Sequence, residues 1–181
     1  MSHPDTNSPH ILNLISEIGF AAHNKKDDAL ERCIGKVISI ISSNSNGISH
    51  ANLAPQLIAL TAKSAATLAD NSHPQQAANG LTSLNDAIKE HPHLLVSAAK
   101  PMCEAALIIG AKSLDCCLYT TAHSMATIAS SYLGTDDPMA DKVRKLAKDA
   151  VSHALSHATQ ALDKMSQPKK PKAVTRRLDP G

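Results

Sequence analysis

The chain has 181 residues, 43% of them hydrophobic, with two Tyr, one Phe, no Trp and a formal net charge of +2. That length and apolar content fit one globular domain, or one with a small appendage. The scarcity of aromatics and Gly excludes a β-sandwich or barrel, whose strands favour aromatic and β-branched residues, and excludes single-strand nucleic-acid binding by base stacking. What remains is an Ala- and Leu-rich helical protein.

Apolar residues recur at helical spacing along most of the chain. Ile11, Leu14, Ile15, Ile18 and Ala22 predict a first helix, with Ser8 as N-cap and Pro9 in its first turn. Leu30, Cys33, Ile34, Val37, Ile38 and Ile41 predict a second, opening near Asp27 and closed by the polar loop 42–47. Ser49 is the expected cap of a third, built on Leu53, Leu57, Leu60, Ala65 and Leu68. Asn71-Ser72-His73-Pro74 stops and restarts the chain, and Ala77, Leu81, Leu84 and Ile88 predict a fourth helix.

After a further restart at His91-Pro92-His93, only Pro101 and Gly110 interrupt the pattern before Leu133. A single helix there would run roughly 60 Å at 1.5 Å per residue. Two helices, about 93–111 and 115–133, are therefore expected, with a break at 110–115; the alternative is one long helix kinked at Pro101. Gly134-Thr135-Asp136-Asp137-Pro138 combines a C-terminal Gly, acidic caps and a first-turn Pro. The last helix is expected to run to about Met165, on Val143, Leu146, Ala150, Ala154, Ala158, Ala161 and Met165.

Charge is unevenly placed. The tail 166–181 holds Lys169, Lys170, Lys172, Arg176 and Arg177 against Asp179, which leaves the body slightly acidic. Duplex-binding bodies are usually basic, so no nucleic-acid partner is expected for this one. The Pro-rich basic tail is expected to be disordered and could contact an anionic surface or act as an import-like signal. Cys33, Cys103, Cys116 and Cys117 form no CxxC pair and read as reduced thiols. No cleaved signal peptide and no transmembrane segment are apparent, since the longest apolar run, 105–111, is short. The expected location is cytoplasmic, or a host cytoplasm reached without a cleaved signal.

A recurrent pattern runs through several helices: an aliphatic, a pair of small residues, then aliphatic and small residues in turn. Leu95, Ala98, Ala99, Met102, Cys103, Ala106 and Ile109 fit it, as do Leu118, Thr121, Ala122, Met125, Ala126, Ala129, Tyr132 and Leu133. Val143, Leu146, Ala147, Ala150, Val151 and Ala154 fit its first half, and Ile58, Thr61, Ala62, Ala65, Ala66 and Ala69 fit it loosely. The pattern resembles that of talin-rod helices, and most closely their vinculin-binding helices, LxxAAxxVAxxVxxLI. The resemblance spans about 49–165. It implies an adhesion-type scaffold whose helices, once released, insert into a vinculin-like helical bundle; some secreted bacterial effectors carry similar helices. The implied partner-binding residues are Leu95, Ala98, Ala99, Met102 and Ile109, with Leu118, Ala122, Met125, Ala129 and Leu133. Pro101 and Gly110 depart from the pattern. Plain bundle packing yields a similar stripe, because Ala both favours helix and permits close approach.

Catalytic signatures do not emerge. His153 and His157 have the spacing of a metal-binding pair, but no acidic residue lies between them. Cys116, Cys117 and His123 could offer ligands, yet adjacent Cys on a helix point about 100° apart. Neither a metal nor a cofactor is expected. His123 sits in a segment similar to histidine phosphotransfer domains, but Ala126 and Thr127 replace the Lys and Gly of that motif.

The expectation is therefore an all-α fold of six or seven antiparallel helices. A hairpin in 1–48 packs on a four- or five-helix bundle in 49–165, and the tail is 166–181. The expected function is non-enzymatic protein–protein interaction. The alternatives are a secretion chaperone or adaptor, a bundle binding a small apolar ligand and, as a minor one, a phosphotransfer-like domain.

Overall fold

Three of the six connections between helices are three residues long, and they explain much of the architecture. The computed structural model describes residues 8–43, 53–134 and 137–166. Among them seven α-helices pack into a helical bundle: α1 (Ser8–His23), α2 (Asp27–Ser43), α3 (Ala54–Asp70), α4 (Pro74–Lys89), α5 (Leu95–Asp115), α6 (Tyr119–Ser131) and α7 (Ala140–Ser166). A single 3-10 turn, Pro92–Leu94, leads into α5. The cap at Ser49, the acidic residue Asp136 and the basic tail from 167 onward lie outside the described residues. Of the acidic pair, Asp137 is described: its carboxylate accepts the Met139 N–H at 2.8 Å and so turns the chain into α7.

α1, α3 and α5 end in the same way. Lys25, Ser72 and Cys117 each take a left-handed backbone, with φ of 50°, 73° and 60°. Beyond each one, a backbone N–H reaches back five residues: Lys26 to Ala21, His73 to Leu68, Leu118 to Ser113, at 2.8 to 2.9 Å. Inside each of these bonds lies a second that spans three residues, Lys25 to Ala22, Ser72 to Ala69 and Cys117 to Leu114. This is the Schellman arrangement, which satisfies carbonyls left open at a helix end. It usually places Gly at the left-handed position; none of these three residues is Gly.

The repetition extends into the core. Counting five, nine and twelve residues on from each left-handed residue gives Leu30, Ile34 and Val37 in α2, Ala77, Leu81 and Leu84 in α4, and Ala122, Ala126 and Ala129 in α6. All nine are buried. Counting back four, eleven and fourteen gives Ala21, Leu14 and Ile11, then Leu68, Thr61 and Ile58, then Ser113, Ala106 and Cys103, again all buried. The body is thus one helical hairpin used three times, in the same register. Its side chains shrink toward the third copy, where α6 presents only alanines at those three positions.

The hairpins stack. α3 packs between α1 and α5, α4 between α2 and α6, and each hairpin's own helices pack together. α7 then lies on the outer side of the third hairpin, against α6 and α5. Each unit buries its apolar face on its neighbour, as in repeat architectures.

The expected break at 110–115 is corrected: α5 passes through Gly110 to Asp115 and the chain turns at Cys116–Leu118. Gly110 interrupts nothing. A Cβ there would overlap the Leu146 side chain of α7, so the position serves close helix approach. Pro101 lies within α5, which continues past it. α3 begins at Ala54, with Pro55 in its first turn.

Candidate partner-binding surface

The residues of the talin-like pattern face inward. In α5, Ala98, Met102 and Ile109 are fully buried, Ala99 is partly buried, and Leu95 is at the surface with 37% exposure. In α6 and its flanks, Ala122, Met125 and Ala129 are buried, while Leu118 and Leu133 are partly covered. These stripes fill the contacts of α5 with α3 and α6, and of α6 with α7. Binding through them requires a helix to leave the stack. α5, together with its leading turn (Pro92–Asp115), is also long and apolar enough to cross a membrane by length and composition alone. In this fold it packs among α3, α4 and α6.

α7 departs from expectation. Its first part buries Val143, Leu146 and Ala150. Beyond Ala150 the expected core face is left uncovered: Ala154 is partly covered, and every other residue from Val151 to Ser166 is exposed. Val151, Leu155, Leu162 and Met165 are 48, 65, 63 and 82% exposed. The cause is length. α6 has 13 residues and α7 has 27, so α7 outruns the helix beside it. Tyr119, the first residue of α6, packs its ring against His153 and His157 at 6.3 and 5.9 Å between centroids, and this is where the body ends.

That ring also accounts for the histidine pair. Tyr119 packs against both imidazoles, which makes the i, i+4 spacing a packing arrangement. Among the described residues no group of three His, Cys, Asp or Glu side chains is placed to hold a metal ion. Cys116 and Cys117 are exposed at the α5–α6 turn, and the Cys117 thiol pushes the neighbouring Tyr119 phenol upward in pKa. Cys33 and Cys103 are buried, and burial is the main influence raising their thiols, so they behave as small apolar side chains.

Four cavities among the described residues are grooves open on the surface. One of about 410 Å³ runs between α3 and α5 over Ala59, Lys63, Ala66, Pro101 and Ile108. Another, of about 330 Å³, lies beside Val96, Cys103, Leu133 and Met139. A polar one of about 470 Å³ lies at the start of α2, over Lys25, Lys26, Asp27, Arg32 and His73. A fourth, of about 240 Å³, is lined by Tyr119, Thr120, His123, Ala150, Val151 and Ala154, and so adjoins the uncovered end of α7. His123 therefore sits on the rim of a groove between two helices.

Comparison of the chain with family models, curated proteins and solved structures finds no match. The exposed stripe is partly legible in the sequence, where spacing sets Ala154, Ala158, Ala161 and Met165 on one face of the last helix. That the face lacks a neighbour depends on where α6 begins, and the turn at Cys116–Leu118 carries no Gly to announce it.

Proposed function

We propose that the protein is a non-enzymatic interaction module that presents the second half of α7 to a helical partner. One observation carries this reading: large apolar side chains at helical spacing stand exposed on a helix, with no described residue packed over them. Monomeric soluble proteins seldom expose a continuous apolar patch of several hundred Å² without a binding role. An amphipathic helix of this kind is recognised through its apolar anchors in a groove of the partner. No opening of the home bundle is needed, in contrast to α5 and α6.

The test compares baits. Full-length protein and its Leu155→Asp/Leu162→Asp variant are used to capture proteins from the same lysate. Loss of captured species with the variant supports the reading; identical capture by both removes it.

A narrower version follows the talin-like pattern. In it α5 or α6 is released and inserts its stripe, Leu95 to Ile109 or Leu118 to Leu133, into a vinculin-like bundle. The burial of both stripes supports it only in that such helices are stored within their own bundle. Titration of vinculin's head with the full chain, and with a Leu146→Ala variant that loosens α7 from Gly110, separates the versions. Binding strengthened by the loosening variant favours release. Absence of binding by both at tens of micromolar, a Kd scale worth about 6 to 7 kcal/mol, rules it out.

A further inference from the structure

We infer that the occupant of the uncovered α7 stripe is a second copy of the same helix, paired antiparallel. This rests on the proposed use of α7 as a presented helix and names its partner.

The spacing comes first. Val151, Leu155, Ala158, Leu162 and Met165 follow one another at intervals of four, three, four and three residues. That 3.5-residue period keeps a narrow apolar seam facing a partner helix, whereas a helix lying on a broad globular core favours a wider stripe at 3.6. The flanks come second. Ser152, Ala154, Thr159, Ala161 and Ser166 border the seam, all small and all uncharged. Two copies can approach closely there, and no like charges oppose them. In hetero-specific coiled coils those flanking positions normally carry the charges that select the partner.

The polar face argues against a lipid surface. Asp163 and Lys164 are its only formally charged residues beyond Val151, so it lacks the Lys- and Arg-rich face of an interfacial helix.

The fit is also favourable. With Leu162 of one copy against Val151 of the other, Leu155 meets Ala158, and Met165 reaches the level of residue 148. There it lies beside the groove over Tyr119, His123, Val151 and Ala154. Each helix end thus extends into the groove beside the other's body, and the two bodies sit at opposite ends of the pair. A parallel pair would instead place both bodies at the same end and leave both grooves uncovered. The exposed seam amounts to a few hundred Å² per copy, or on the order of 1,000 Å² for the pair, the lower limit for a specific interface. The association is therefore concentration-dependent.

Sedimentation equilibrium of the full chain tests this from roughly 5 to 500 μM, the range in which an interface at that limit associates. The expected result is a mass rising from one copy to two, and Leu155→Asp/Leu162→Asp remaining monomeric throughout with its melting transition retained. Orientation is tested with two further variants at exposed or partly covered positions. Ala154→Lys/Ala161→Lys sets like charges across the antiparallel seam and should weaken association about tenfold. Ala154→Lys/Ala161→Glu sets opposite charges across it and should associate at least as well as the parent. A parent that stays monomeric at the highest concentration overturns self-pairing, as does a dimer that survives Leu155→Asp/Leu162→Asp. Equal behaviour of the two lysine variants overturns the antiparallel arrangement. A monomeric parent whose lysate capture still depends on Leu155 and Leu162 leaves the proposed function standing while this inference fails.

Discussion

The two halves of α7 both carry apolar residues at helical spacing and have opposite surroundings. Val143, Leu146 and Ala150 sit in the core, while Val151, Leu155, Leu162 and Met165 face water, on one unbroken helix. Helix continuity is a local property, supplied here by Ala, Leu and Lys, which favour helix wherever they stand. Coverage is a property of the neighbours, and α6 is too short to extend it. Apolar residues at helical spacing therefore mean core in one half and exposed surface in the other.

The comparison is broken or sharpened most strongly by truncating one leucine in each half. Leu146→Ala removes a buried side chain that fills the space left by Gly110, and large-to-small changes of this kind cost about 2 to 5 kcal/mol. Leu155→Ala removes a side chain that is 65% exposed and should change monomer stability by about 0.5 kcal/mol or less. Urea denaturation at low protein concentration reads both. Equal losses would mean that the second half of α7 is packed after all.

Next in size is Gly110→Ala. Ala is the better helix former by about 1 kcal/mol, but its Cβ would overlap Leu146, and overpacking typically costs about 1 to 3 kcal/mol. A net loss near 1 kcal/mol is expected. Gly35 in α2 is the control, because a Cβ there meets nothing within 4 Å. Gly35→Ala should stabilise by about 0.4 to 1 kcal/mol. If both substitutions stabilise, α7 does not rest on Gly110 as described.

The hairpin turns give a smaller effect of opposite sign. Cys117 holds a left-handed backbone that favours Gly, at a cost to an L side chain of roughly 1 kcal/mol. Cys117→Gly should raise the melting temperature by a few degrees, and Ser72→Gly should do likewise. A lowered melting temperature in both would show that the side chains, not the backbone, hold these turns.

Those turns also show what the sequence conceals. Helix positions and the helical class were legible, because Leu14, Ile18, Leu30, Ile34, Leu81 and Leu84 repeat at helical spacing and are all buried. The threefold hairpin was not. Its register is set by Lys25, Ser72 and Cys117, three unlike residues in one backbone conformation, and by core positions that drift from Leu, Ile and Val to Ala. Gly110 stood out as a breaker although its role is close approach to Leu146, a contact made far along the chain. The candidate surface was half legible for a related reason: a stripe identifies a face, while its exposure depends on the length of another helix.

The smallest effect at neutral pH belongs to the segment that leads into α7. Tyr132 follows α6, and its hydroxyl is buried with no hydrogen-bond partner among the described residues. Burial, with a lesser contribution from the Asp86 carboxylate, pushes the phenol up to about 12. The fold thus favours the neutral phenol over the phenolate. Since an unfolded chain ionises its tyrosines near pH 10 (roughly), the contribution of Tyr132 is intact below that pH and is lost as pH climbs toward about 12. Tyr132→Phe removes an unsatisfied hydroxyl and keeps the ring, so stability at pH 7 should change by less than about 1 kcal/mol, with a gain the more natural sign. Between pH 10 and 12 the variant should lose stability less steeply than the parent, as read by urea midpoints across that range. Superimposable pH profiles would show that the hydroxyl reaches water, and that the joint between α6 and α7 is looser than the covered half of α7 requires.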